Sequence, residues 1–211
     1  MREQGIHTLH THMKRHKLRI KLPVGRIETV IEDPEEGRRG LALIAHPHPL
    51  HGGSLDNKVA WTLARAAVNR GLVAIRPNFR GVGESEGTFD HGIGETEDLL
   101  GLAASIAPHY PGLPWTLLGF SFGAYVQHRV AAELNAERLI MVGPAVTMYD
   151  FAGPAISAHI VHGVEDELIP IAAVRKYAHA HGIPLHEIEG AGHFFHGRLK
   201  PLQALVESLC R

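Results

Sequence analysis

Ser121 lies in Gly119-Phe120-Ser121-Phe122-Gly123, a G-x-S-x-G pattern. An apolar run from Trp115 to Leu118 precedes it, and a helical pattern from Phe122 to about Leu134 follows without a spacer. A serine hydroxyl becomes a nucleophile only when a base takes its proton, and a tight strand-to-helix turn holds it clear of a sheet. Gly119 and Gly123 leave space where a side chain would collide with neighbouring backbone. The residue after the serine opens the helix, so the Phe122 N–H has no intrahelical acceptor and is a candidate oxyanion donor. Gly83-Glu84-Ser85-Glu86-Gly87 matches the same pattern, but acids flank it and no helical run follows. Ser85 therefore reads as a structural loop residue.

The nucleophile needs a base, and the base needs an acid to orient it. Where strands run parallel under covering helices, chemistry gathers in the loops at their carboxyl ends. After the strand at Ala158 to Val161 comes His162-Gly163-Val164-Glu165-Asp166-Glu167-Leu168-Ile169-Pro170, which makes Asp166 the candidate acid. Glu165 and Glu167 read as solvated neighbours, and Asp150, beyond the preceding strand, is the alternative acid. After the strand at Leu185 to Ile188 comes Glu189-Gly190-Ala191-Gly192-His193. Its two glycines allow the tight turn that brings His193 over the sheet edge as the base. His196 reads as a first-turn residue of the helix that follows. The second oxyanion donor is expected in the loop after Leu41 to Ala45. Pro47 and Pro49 have no N–H to give, which leaves His48 and Leu50, with His48 favoured by position. Leu50, Met148, Tyr149, Phe151 and Phe194 are the candidate lining of the substrate pocket.

These residues require a particular order of elements. Lys17 to Leu22 and Arg26 to Ile31 form a hairpin about Pro23-Val24-Gly25. Buried strands follow at Leu41 to Ala45, Leu72 to Ile75, Trp115 to Leu118, Arg138 to Val142, Ala158 to Val161 and Leu185 to Ile188. Helices are expected from Lys58 to about Asn69 with Asn57 or Asp56 as cap, and from about Gly94 to Ala107. Further helices run from Phe122, from about Ile171 to His181, and from about Phe195 to Leu209. An amino-terminal antiparallel hairpin followed by alternating strands and helices predicts an α/β fold, its mostly parallel sheet covered on both faces. Residues 17–211 form one domain on this reading, and the polar segment 1–16 a flexible tail. Only Gly143 to Ser157 separates two of the strands, too short a connection for a cap domain, so the site is expected to be open.

Composition narrows the function. The 211 residues carry a formal charge of -1, which offers no electrostatic reason for nucleic acid or an anionic membrane as partner. A single cysteine, Cys210, excludes an internal disulfide. No apolar h-region follows Arg2 and no run reaches transmembrane length, so a cytoplasmic protein is expected. The 17 histidines raise the question of metal, at His7, His10, His12 and His16 and at His46-Pro47-His48-Pro49-Leu50-His51. No H-E-x-x-H or C-x-x-C spacing occurs, and the triad chemistry uses no metal or other cofactor.

Together these motifs resemble the α/β-hydrolase superfamily over nearly all of residues 17–211. The resemblance is closest to a small esterase-like group with an H-P-H-P-x-x-G-G loop, here His46 to Gly53. It rests also on Arg76 to Ser85, the turn at Ser121, Gly163 to Pro170, and Gly190 to His193. The chain order Ser121, Asp166, His193 is that of the family. Dienelactone hydrolases are similar in architecture but use cysteine where this chain has Ser121. The resemblance implies a serine carboxylesterase acting on a small-molecule ester, with thioesters in range. A peptidase or acyltransferase could use the same triad, and a non-catalytic hydrolase-fold binding protein is the alternative from another class.

Overall fold

The computed structural model describes residues 13–210. The strands are β1 (Lys14–Leu22), β2 (Gly25–Asp33), β3 (Gly40–Ala45), β4 (Leu72–Pro77), β5 (Trp115–Phe120), β6 (Ala136–Val142), β7 (Ala158–Gly163) and β8 (Leu185–Ile188). They form one sheet in the order β1-β2-β4-β3-β5-β6-β7-β8. β1 and β2 pair antiparallel, β2 pairs antiparallel with β4, and every pairing from β4 through β8 is parallel. The helices are α1 (Lys58–Asn69), α2 (Ile93–Ile106), α3 (Phe122–Val130), α4 (Ile171–His181) and α5 (Leu199–Leu209).

Strand periodicity explains why both faces need helices. Along β3, Leu41, Leu43 and Ala45 enter one apolar cluster while Ala42 and Ile44 enter the other. The first cluster is closed by Leu99 and Leu102 of α2, Val126 of α3 and Val174 of α4. The second is closed by Leu63 of α1 and by Leu202 and Val206 of α5. β1 and β2 extend this sheet on the β4 side, away from the strands that carry the candidate triad. Among the described residues no helix is long and apolar enough to cross a membrane.

Three boundaries depart from the sequence reading by three residues or more. β1 begins at Lys14, because residues 14–16 continue the ladder with β2 as far as Lys14↔Asp33. That moves them out of the expected tail; His7, His10 and His12 lie outside the described residues. α3 ends at Val130 rather than near Leu134, since Ala132 N–H bonds Arg129 O and Glu133 N–H bonds Val130 O, tightening the last turn. α5 begins at Leu199, not Phe195. Phe195 and Gly197 have φ of 53° and 70°, which no right-handed helix admits, so the segment after β8 stays a loop.

Candidate active site

Ser121, Asp166 and His193 follow β5, β7 and β8, whose carboxyl ends lie on one edge of the parallel sheet. Ser121 has φ 55° and ψ -115°, a backbone state that a non-glycine residue holds only where its surroundings enforce it. Its N–H bonds Val142 O at 2.9 Å, and its carbonyl takes the Ala124 N–H at 3.0 Å. The flanking glycines are required by contact. A Cβ on Gly119 would meet the Gly123 carbonyl, and a Cβ on Gly123 would meet the carbonyls of Ala45 and His46 at the end of β3. The elbow is thus wedged against the neighbouring strand.

The three side chains form a continuous relay. His193 Nε2 lies 3.1 Å from Ser121 Oγ, and His193 Nδ1 lies 2.7 Å from Asp166 Oδ2. Asp166 Oδ1 accepts the N–H groups of Leu168 (2.9 Å) and Ile169 (2.8 Å). Burial alone would raise the Asp166 carboxyl. The His193 and Ile169 hydrogen bonds and the nearby imidazoles outweigh it and hold the group below the usual carboxylate range. An ionised Asp166 draws the proton to His193 Nδ1, leaving a lone pair on Nε2 facing the serine hydroxyl. His193 is held in place by the Phe120 ring, at 5.1 Å between centroids, and by the edge-on ring of Phe194.

Ser121 opens into a cavity of ≈ 350 Å³. Of the five residues expected to line it, Met148, Tyr149 and Phe194 do. Leu50 does not: it lies on a short 3-10 turn (Pro49–His51) and is 68% exposed. Phe151 is also absent from the wall, being 8% exposed and packed against Tyr125 and Tyr177 beneath α3 and α4. His51, Asn57 and Leu168 take part in the lining and were not anticipated. The loop at His48 stands beside Ser121 because β3 and β5 are neighbours in the sheet. The Leu50 N–H is committed to His48 Nδ1 at 3.2 Å, while the His48 N–H forms no hydrogen bond among the described residues.

The other singled-out residues fall outside the site. Asp150 is exposed. His196 lies in the turns before α5, exposed, instead of in a first helical turn. Ser85 is buried; its hydroxyl donates to Asn78 O at 2.8 Å and accepts the Glu28 N–H at 3.0 Å, so it ties its loop to β2 and to the end of β4. His46 braces the loop ahead of the pocket. Its Nδ1 bonds Pro47 O at 2.7 Å and its Nε2 accepts the Phe79 N–H at 3.0 Å. Burial pushes its pKa down to about 4, so the ring stays neutral. No group of three or more His, Cys, Asp or Glu side chains among the described residues could hold a metal ion.

Comparison with known proteins agrees with this fold. The structure superposes on an α/β serine hydrolase homologue from Coxiella burnetii with a TM-score of 0.86 at 39% identity, covering 92% of this chain and 96% of that one. A lid-less α/β serine hydrolase from Xanthomonas campestris matches at a TM-score of 0.86 and 34% identity, over 92% and 93% of the two chains. A monoacylglycerol lipase from Mycolicibacterium smegmatis is 30% identical over 171 residues, 79% of this chain and 55% of the lipase. No family model matches the chain. The chain belongs to the α/β serine hydrolase family, and to its members that lack a lid.

Proposed function

We propose that this chain hydrolyses carboxylic esters of small to medium acyl groups, thioesters included, through an acyl-enzyme on Ser121. The observation that carries the reading is the unbroken Ser121–His193–Asp166 relay at a strained elbow facing a cavity. In the first half-reaction Ser121 Oγ attacks the ester carbonyl carbon as its proton passes to His193 Nε2. The oxyanion is received by the N–H groups of Phe122 and His48. Leu50 is the weaker candidate because its N–H already serves His48 Nδ1. Collapse expels the alcohol, which leaves with the proton from Nε2. Water then attacks the acyl-enzyme, its proton passing to Nε2 and on to Ser121 Oγ as the carboxylic acid departs. Asp166 orients the imidazole throughout and offsets its positive charge. The mechanism uses no metal or cofactor.

The test is labelling with a fluorophosphonate, which reacts with activated serines, beside turnover of p-nitrophenyl esters after exhaustive chelation. The reading expects stoichiometric labelling at Ser121 and undiminished turnover. A folded protein that neither labels nor turns over any ester belongs with the non-catalytic members of this fold.

A further inference from the structure

Two side chains of the cavity lining, Asn57 and His48, spend an acceptor on nearby backbone N–H groups. Asn57, the residue that caps α1, accepts the N–H groups of Val59 at 2.9 Å and Ala60 at 3.3 Å on its Oδ1. Both partners are donors, so chemistry fixes which corner of the amide is oxygen. Nδ2 is the opposite corner. It forms no hydrogen bond among the described residues, and Asn57 is part of the cavity wall. His48, on the same wall, is used in the same sense: its Nδ1 accepts the Leu50 N–H, so a neutral ring carries its proton on Nε2. Burial, with His51 and His91 nearby, lowers the His48 pKa and favours that neutral ring. Met148, Tyr149, Leu168 and Phe194 supply the apolar lining. A ligand made only of carbon and the scissile ester would leave Asn57 Nδ2 without a partner once it displaced water, which costs affinity.

We propose that Asn57 is a specificity-determining residue whose Nδ2 donates to a second oxygen of the substrate. The preferred ester on this view carries a carbonyl, hydroxyl or ether oxygen in addition to the group being cleaved. The inference rests on the ester-hydrolase reading above and deepens it.

The experiment compares p-nitrophenyl pentanoate with p-nitrophenyl 4-oxopentanoate, which have the same carbon chain and differ by one keto oxygen. Both are measured on the wild type, Asn57→Asp and Asn57→Ser. Either replacement keeps an oxygen to cap α1 and removes the amide donor. Losses from a weakened helix or a shifted loop fall on both esters alike and cancel in their ratio. The expected result is that the oxo-to-alkyl ratio of kcat/KM drops about tenfold in both variants, the effect of one hydrogen bond made to one substrate only. A ratio unchanged in both would reduce Asn57 to a helix cap and overturn the inference while leaving the hydrolase reading intact. A wild type that turns over neither ester overturns both.

Discussion

His162 Nε2 lies 3.3 Å from Asp166 Oδ2, the same oxygen that binds His193 Nδ1 at 2.7 Å. His162 is fully buried, and its Nε2 is also 2.9 Å from Ile169 O. Facing two acceptors, Nε2 must carry the proton; Nδ1 has no hydrogen-bond partner among the described residues. Burial lowers the His162 pKa and keeps the ring neutral. A neutral donor thus draws charge from the carboxylate that supports the base. His162→Phe is expected to lower kcat/KM by up to about tenfold, the carboxylate losing a polar neighbour at 3.3 Å. His162→Gln, which keeps a donor, should recover part of that loss. An unchanged kcat/KM in a folded His162→Phe enzyme counts against this.

The two serines in matching patterns should separate cleanly. Ser121→Ala is expected to lower kcat by at least about 10⁴-fold, as the only attacking group of the relay is gone. Ser85→Ala should keep most activity and lose about 1–3 kcal/mol of stability, the cost of unpairing buried groups at Asn78 and Glu28. Ester turnover and urea unfolding of both variants decide the matter, and the reverse pattern would sink the elbow assignment.

The two candidate acids differ in the same way. Asp166→Asn should reduce kcat by about 10⁴-fold by reversing the hydrogen-bond demand on His193 Nδ1. Asp150, exposed beyond β6, should tolerate Asn with less than about a twofold change. Equal damage from both replacements would require a different acid.

Stability should fall in acid before the carboxylates titrate. His46 has a folded pKa of about 4 against an ordinary 6.5. Between those values the unfolded chain binds a proton that the native chain refuses, so the unfolding free energy decreases as pH drops through the window. The shift corresponds to about 3 kcal/mol, all of it retained above pH 6.5 and lost near pH 4. His48, His128, His159 and His162 are shifted the same way. Urea titrations from pH 7.5 to 4.5 should show the decline, and His46→Gln should flatten it. A curve level from pH 7 to 5 refutes the account.

On the proposed ester-hydrolase reading, the open cavity limits acyl length. A buried methylene contributes about 0.8 kcal/mol, and only while there is wall to cover it. A cavity of ≈ 350 Å³ with no helix in the 143–157 connection offers little wall. The highest kcat/KM is therefore expected for acyl chains of roughly two to six carbons, with no jump in rate above the micelle point of longer esters. A steady rise toward long chains would reveal an acyl channel.

Much of this was legible in the chain because several signals coincided. α1 runs from Lys58 to Asn69 as expected, since Asn57 caps it and Gly71 follows it. α4 spans Ile171 to His181 between Pro170 and Gly182, and β8 matches Leu185 to Ile188 residue for residue. The relay was legible for a different reason: a parallel sheet restricts chemistry to a few loops, leaving few serines, acids and histidines to choose among. What stayed hidden depended on direction. Phe151 follows β6, but nothing in its neighbours says that it turns inward against Tyr177 instead of toward the cavity. Asn57 advertised its cap, and a cap motif says nothing of the cavity that the same residue lines. The late start of α5 was concealed because Phe195 carries no mark of a positive φ. His46 gave no sign that both of its nitrogens would be spent on the backbone.

Gly123 rests on the carbonyls that close β3 and lead into the His48 loop. The nucleophile and the segment beside it are therefore registered against each other by the chain itself, not by whatever arrives from solution. Their relative position is fixed when the sheet forms. The pocket beside Ser121 is thus built before anything enters it. Selection among entrants then falls to the side chains at its rim.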